Sequence, residues 1–214
     1  MIKINKSQLP DGISITREED YNGGIIRKIL TDDSCGKCYI CEDSLHTSGQ
    51  VEHRIPHKGN TALKLDWNNL LLACYHCNTT KSHKYDGILD PTSVDPEAFI
   101  DLSLDVDSEL REIVVVRKKK GGADVDITVD LLDAVYNGTS TARSCSACQQ
   151  LKNKLSNELL WFLQEIVEYL ESPNTNSQEA IAFQLSDKSI FAAFKRKIIR
   201  DDLGLALELF SFQN

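Results

Sequence analysis

Two Cys-x-x-Cys pairs, Cys38/Cys41 and Cys74/Cys77, constrain this chain more than any other feature. Two thiolates spaced this way bind one zinc ion from a tight turn, and a second pair completes a tetrahedral four-sulfur site. The intervening stretch, residues 42 to 73, exceeds the usual knuckle interval of about 15–20 residues. So long an insert is a segment held at both ends by the metal. A small unit of this kind buries little apolar surface, and a metal clip makes up the deficit.

The enclosed segment carries chemistry. It contains Glu52-His53-Arg54-Ile55-Pro56 and Trp67-Asn68-Asn69-Leu70, and Asn78 directly follows the last cysteine. Phosphodiester hydrolysis needs an activated water, charge neutralisation and help for the leaving oxygen. His53 is the natural general base, since imidazole exchanges a proton near neutral pH. Glu52 offers a hard oxygen suited to Mg²⁺ or Mn²⁺, and Asn78 can offer a carbonyl oxygen to the same ion. Asn69 is expected to orient the His53 ring by hydrogen bonding, with Asn68 as the substitute if the loop register shifts. Lys81, one helical turn past Asn78, is expected to meet a phosphate oxygen. Arg54 and Lys84 are further candidates for nucleic-acid contact.

The net charge of −8 over 214 residues is discordant with that chemistry, because phosphate binding rests mostly on Lys and Arg. Either the basic groups gather on one face or another subunit supplies most of the grip on a duplex. Basic clusters occur at Lys81–Lys84, at Arg117–Lys120 and at Lys195–Arg200. Seven cysteines without a secretory leader argue against a disulfide framework. No apolar run reaches the length of a membrane span, so a cytoplasmic protein without membrane contact is expected.

Three stretches follow from composition: a polar lead-in over 1–34 with a short helix near Ile25–Leu30, a cysteine-bounded module over 35–90, and a remainder over 91–214. Within the module, Gly49–Val51 and His53–Ile55 suggest a short strand pair, and Leu70–Lys81 a strand or turn running into a helix. Ile113–Val116 and the alternating Val125–Val129 predict a β-hairpin around a basic tip and Gly121-Gly122. Leu151, Leu155, Leu159, Phe162, Leu163, Val167 and Leu170 recur at helical spacing between Cys148 and Leu170. Pro173–Asn176 breaks that helix. Further helices are expected over about Ser189–Arg200 and Asp202–Phe210.

Acid-His, then Asn-Leu, then a cysteine pair followed at once by His or Asn is the motif order of the HNH, or ββα-metal, endonucleases with a zinc knuckle. Glu52-His53, Asn69-Leu70 and Cys74-Tyr75-His76-Cys77-Asn78 resemble it, with Lys81 at the trailing basic position. The resemblance implies an α+β fold with a small ββα-metal module, a structural zinc on Cys38, Cys41, Cys74 and Cys77, and DNA cleavage. It also implies His53 as base, Glu52 and Asn78 as ligands of the catalytic metal and Asn69 as the orienting amide. Glu52 departs from the family's more usual Asp and reaches one carbon further. Cys35/Cys38 is also a legal pair, but Cys38-Tyr39-Ile40-Cys41-Glu42 is the one that resembles the family's first knuckle.

Leu89-Asp90-Pro91, Asp95-Pro96-Glu97, Leu131–Gly138 and Phe191–Arg200 are similar to blocks in the nuclease subunits of Septu antiphage systems, which also accompany some retrons. That resemblance implies an SMC-like ATPase partner bound through the 91–214 region. Two other readings compete: a catalytically silent zinc scaffold that recruits proteins, and a thiol redox protein using Cys145 and Cys148 near a helix start.

Overall fold

The computed structural model describes residues 1, 3–45, 48–106, 112–138, 142–205 and 210, with the side chains of 142–145 left aside. Two short helices open the chain, α1 (Glu18–Asn22) and α2 (Gly24–Asp33). Strand β1 (Gln50–His53) pairs antiparallel with β2 (Leu70–Ala73), placing Glu52 opposite Leu71 and His53 opposite Leu70. A four-residue helix, α3 (Thr61–Lys64), lies in the intervening loop, and α4 (Tyr75–Lys81) follows β2 directly. Strand, strand and helix form the ββα unit expected from the sequence.

The strand pair differs in detail from expectation. Gly49–Val51 and His53–Ile55 do not pair with one another; a single strand pairs with the all-apolar Leu70–Ala73, whose side chains are buried. Burial of β2 on both faces, with Glu52 the one buried residue of β1, accompanies this register.

Beyond the module, β3 (Ile100–Val106) and β4 (Glu112–Lys118) form an antiparallel hairpin. The expected pairing of Ile113–Val116 with Val125–Val129 is therefore corrected. Residues Ala123–Asn137 form helix α5, which buries Val125, Thr128, Leu131, Leu132 and Val135, a three-and-four spacing that continues past the misleading alternation. Gly121 makes the sharp entry: its φ is +113°, and a Cβ there would lie 2.2 Å from Val125 Cγ2.

Helix α6 (Ala142–Glu171) spans the expected long helix. A further helix that the sequence reading passed over, α7 (Thr175–Leu185), starts inside the expected break, with Asn174 accepting from Ser177 N as its N-cap. Helix α8 (Ala192–Lys197) continues as a π-helical turn, Ile198–Asp202. The expected terminal helix is not seen where the structure describes it: Asp202 ends the π-helical turn and residues 203–205 are non-helical, while 206–209 lie outside the described residues.

One apolar cluster runs from Ile4 and Tyr21 through Ile40, Leu70 and Leu72 to Leu131, Leu155 and Phe194. A second, smaller one joins Phe162 and Ile166 to Ile181, Leu185 and Ile199. No helix among the described residues is long and apolar enough to cross a membrane.

Candidate active site and metal centre

The two cysteine pairs converge as the spacing requires. The Sγ atoms of Cys38, Cys41, Cys74 and Cys77 all lie within 4.8 Å of one another. Cys41 Sγ is 4.0 Å from Cys74 Sγ, close to the ~3.8 Å expected between sulfurs on a tetrahedral zinc with Zn–S near 2.3 Å. The first knuckle is a tight turn in which Glu42 N donates to Cys38 O and Glu42 takes a left-handed conformation at φ 62°. In the second, Cys74 is the N-cap of α4 and its sulfur accepts from Cys77 N at 3.3 Å. Burial pushes the Cys77 thiol up, whereas hydrogen bonds from Cys38 and the other thiols pull Cys74 down. Four cysteine sulfurs within 4.8 Å of one another form the donor set of a tetrahedral zinc site, so the residues fit zinc.

Cys35 stands outside this group and is exposed, which resolves the choice of first pair. Cys148 is buried, donating to Gly138 O at 3.1 Å and lying 3.9 Å from His76 Nε2. The Cys145 side chain lies outside the described residues.

Strand β1 and helix α4 together line a cleft of about 470 Å³ that brings together Glu52, His53, His57, Asn78, Ser82 and His83. His53 ends β1, and its Nε2 is 2.9 Å from Lys64 O. A carbonyl only accepts, so Nε2 carries the proton and Nδ1 keeps the basic lone pair. The ring is fixed on its other sides by edge contacts with Tyr21 and His57, at centroid distances of 5.6 and 4.9 Å. Burial lowers the His53 pKa below the usual imidazole value, which favours the neutral base.

Asn69 does not orient that ring. Its amide is buried and ties the loop shut, with Oδ1 accepting from Ile55 N at 2.7 Å and Nδ2 donating to Ile55 O and Leu63 O at 2.9 and 3.0 Å. The ring is held instead by Lys64 O, one residue beyond the carbonyl that Asn69 fixes. Asn68 is exposed and takes no part.

Lys81 is corrected more sharply. It lies four residues after buried Cys77, on the inward side of α4, and is 0% exposed. Its ammonium is 2.6 Å from Glu52 Oε1 and donates to His53 O at 2.9 Å. It therefore meets a carboxylate inside the module rather than a phosphate outside it. Arg54 also turns inward, 3.4 Å from Asp90. Of the three expected nucleic-acid contacts, Lys84 alone is exposed.

Glu52 is likewise buried. Tyr39 OH donates to its Oε2 at 2.6 Å while Lys81 holds Oε1, and burial raises its pKa despite both partners. Asn78 Nδ2 donates to Gln50 Oε1 at 2.9 Å, which leaves its carbonyl oxygen as the free end of the amide. Each Glu52 oxygen retains a lone pair, and carboxylate and amide oxygens are the donors a hard divalent cation prefers. The residues fit such an ion, although Lys81 already balances the one negative charge.

Sequence reasoning missed Tyr39, Gln50 and Tyr21. Gln50 was detectable, two residues before Glu52 on the same strand face. Tyr39 and Tyr21 reach the site only through tertiary packing.

Residues 38–84 match the family model of HNH endonucleases. The match likens this segment to an HNH module and supports nuclease chemistry in general. No curated protein and no solved structure matches the chain.

Proposed function

We propose that this chain is a divalent-metal-dependent HNH endonuclease that hydrolyses DNA phosphodiester bonds. One observation carries the reading. A single imidazole at the end of β1 has its Nε2 pinned by a backbone carbonyl, and Glu52 and Asn78 line the same cleft. His53 Nδ1 then takes a proton from the attacking water. Glu52 and Asn78 would hold Mg²⁺ or Mn²⁺, which when bound neutralises phosphate charge and stabilises the leaving oxygen. Zinc on the four cysteines serves structure alone. Exposed Lys84, next in sequence to the cleft residue His83, would supply a phosphate contact.

The finer reading is that the chain is the nuclease subunit of a Septu- or retron-type antiphage system, working in the cytoplasm with an SMC-like ATPase. Its support is the likeness of the 131–138 and 191–200 blocks and the net charge of −8, which disfavours unaided duplex binding. Residues 91–214 would then be the partner-binding part.

The test is cleavage of supercoiled plasmid by zinc-loaded chain at high protein concentration. Wild type with Mg²⁺ or Mn²⁺ nicks or linearises the plasmid, and EDTA stops it. His53→Ala is slowed by about 10²-fold or more at unchanged zinc content. Equal cleavage by wild type and His53→Ala, or none by either, overturns the proposal.

A further inference from the structure

The catalytic cleft is lined by a second turn of unusual backbone, which carries Pro56, His57 and Lys58 into it. Asn60 N donates to His57 O at 2.7 Å, and the two residues between them, Lys58 and Gly59, have φ of 45° and 85°. Glycine adopts that region freely, whereas a lysine there is strained, and such strain recurs at functional sites. The turn is tied at two points. Lys58 Nζ is 2.7 Å from Asp86, beyond α4, and Gly59 N donates back to His57 Nδ1 at 3.2 Å. The second of these bonds fixes the His57 ring.

It also fixes where the ring carries its proton. With Nδ1 accepting, the proton sits on Nε2. Among the described residues no protein group accepts from that Nε2–H. His53 is the opposite case, since its Nε2 donates to Lys64 O and its Nδ1 is left to accept. The two rings meet edge to face, with centroids 4.9 Å apart. Ring nitrogens lie about 1 Å from their centroids, so the two working nitrogens are at most roughly 7 Å apart, a span that one phosphate with hydrogen bonds of about 2.8 Å covers. The nearby cations are already paired: Lys81 with Glu52, Arg54 with Asp90 and Lys58 with Asp86.

We propose that His57 Nε2–H donates to a non-bridging oxygen of the phosphate group that the His53-activated water attacks. The inference rests on the nuclease reading and adds to it a second imidazole of opposite polarity. His57 gives up no proton in the reaction. Its hydrogen bond strengthens as negative charge gathers on the phosphoryl oxygens in the transition state, so it acts on the rate.

Two substitutions separate this role from a structural one. The amide of His57→Asn accepts from the N–H two residues on, as in an Asx turn, so it keeps the Gly59 bond and removes the donor at the Nε2 position. The longer amide of His57→Gln returns an N–H there. The readout is cleavage of supercoiled plasmid by the zinc-loaded full chain at saturating Mn²⁺ and plasmid. His57→Asn is slowed by about 10²-fold, with the zinc content, circular dichroism and Mn²⁺ midpoint of wild type. His57→Gln regains tenfold or more of that rate. An unimpaired His57→Asn overturns the inference, as does a loss that additional Mn²⁺ restores. Equal loss in both variants also overturns it, because the ring would then act by packing against His53, an edge contact that neither amide supplies. A wild-type chain that cleaves nothing removes the nuclease reading and this inference with it, and the wild-type reaction alone tells that failure from the others.

Discussion

The cysteine-bounded module and the helical layer of α5–α8 are stabilised by opposite means. The helical layer packs Leu131 of α5, Leu155 and Phe162 of α6 and Phe194 of α8, each buried, and its order follows from apolar area. The module has a two-stranded sheet and one seven-residue helix. It relies on four sulfurs, a buried ion pair and an amide that closes its loop. Polar ties fix positions more sharply than apolar contacts do, because each has one geometry that satisfies it. The difference places the catalytic candidates where the chain is most dependent on specific bonds.

Removing the metal should break the comparison most completely. Structural zinc contributes about 10 kcal/mol or more to the folding of small domains, so Cys77→Ser or strong chelation should unfold the module. Hydrogen exchange should then show protection lost across residues 38–84 and retained across 123–171. Uniform loss across the chain would mean that the two regions fold as one unit.

Lys81→Met comes next. It leaves Glu52 buried without its cation, a change that costs about 3–5 kcal/mol in other buried pairs. Glu52→Gln added to it should restore more than half of the lost stability in urea denaturation, since both charges are then gone. A single substitution without measurable cost would show that Lys81 does not hold the carboxylate. The same loss is not expected for Lys84→Met, whose side chain is exposed.

The smallest expected effect is a pH dependence at the junction of the lead-in with the module. Lys6 donates to Trp67 O and Leu70 O and lies 4.2 Å from the Trp67 ring. Burial lowers its pKa from 10.5 to about 8. Between those values the unfolded chain holds a proton that the folded chain has released, so stability rises as pH climbs from about 8 towards 10.5. Below about 8 both states are protonated and the penalty is complete. Denaturation midpoints measured across that window should rise for wild type and stay flat for Lys6→Met.

Much of the module was legible because its chemistry is local. Cys-x-x-Cys spacing determines the sulfur cluster, and Glu52-His53 at the end of β1 places a carboxylate and an imidazole on opposite faces of one strand. What failed was long-range. Lys81 looked like a surface cation because its partner lies 29 residues away in sequence. The motif order assigns Asn69 to the His53 ring, although its three hydrogen bonds close the loop that carries Ile55 and Leu63. In the remainder, the Val125–Val129 alternation was outweighed by the longer helical period through Tyr136, which a five-residue window does not reveal. Helical spacing is visible across α6, but only the structure separates its buried residues, such as Leu155 and Phe162, from exposed Leu163 and Val167.

The most direct measurement is anomalous diffraction from crystals grown with zinc and soaked in Mn²⁺, collected at both absorption edges. The account predicts one zinc among the four cysteine sulfurs and one manganese in the cleft beside Asn78, on the side where His53 presents Nδ1. A cysteine cluster without zinc, or manganese bound only away from Glu52 and Asn78, would contradict it.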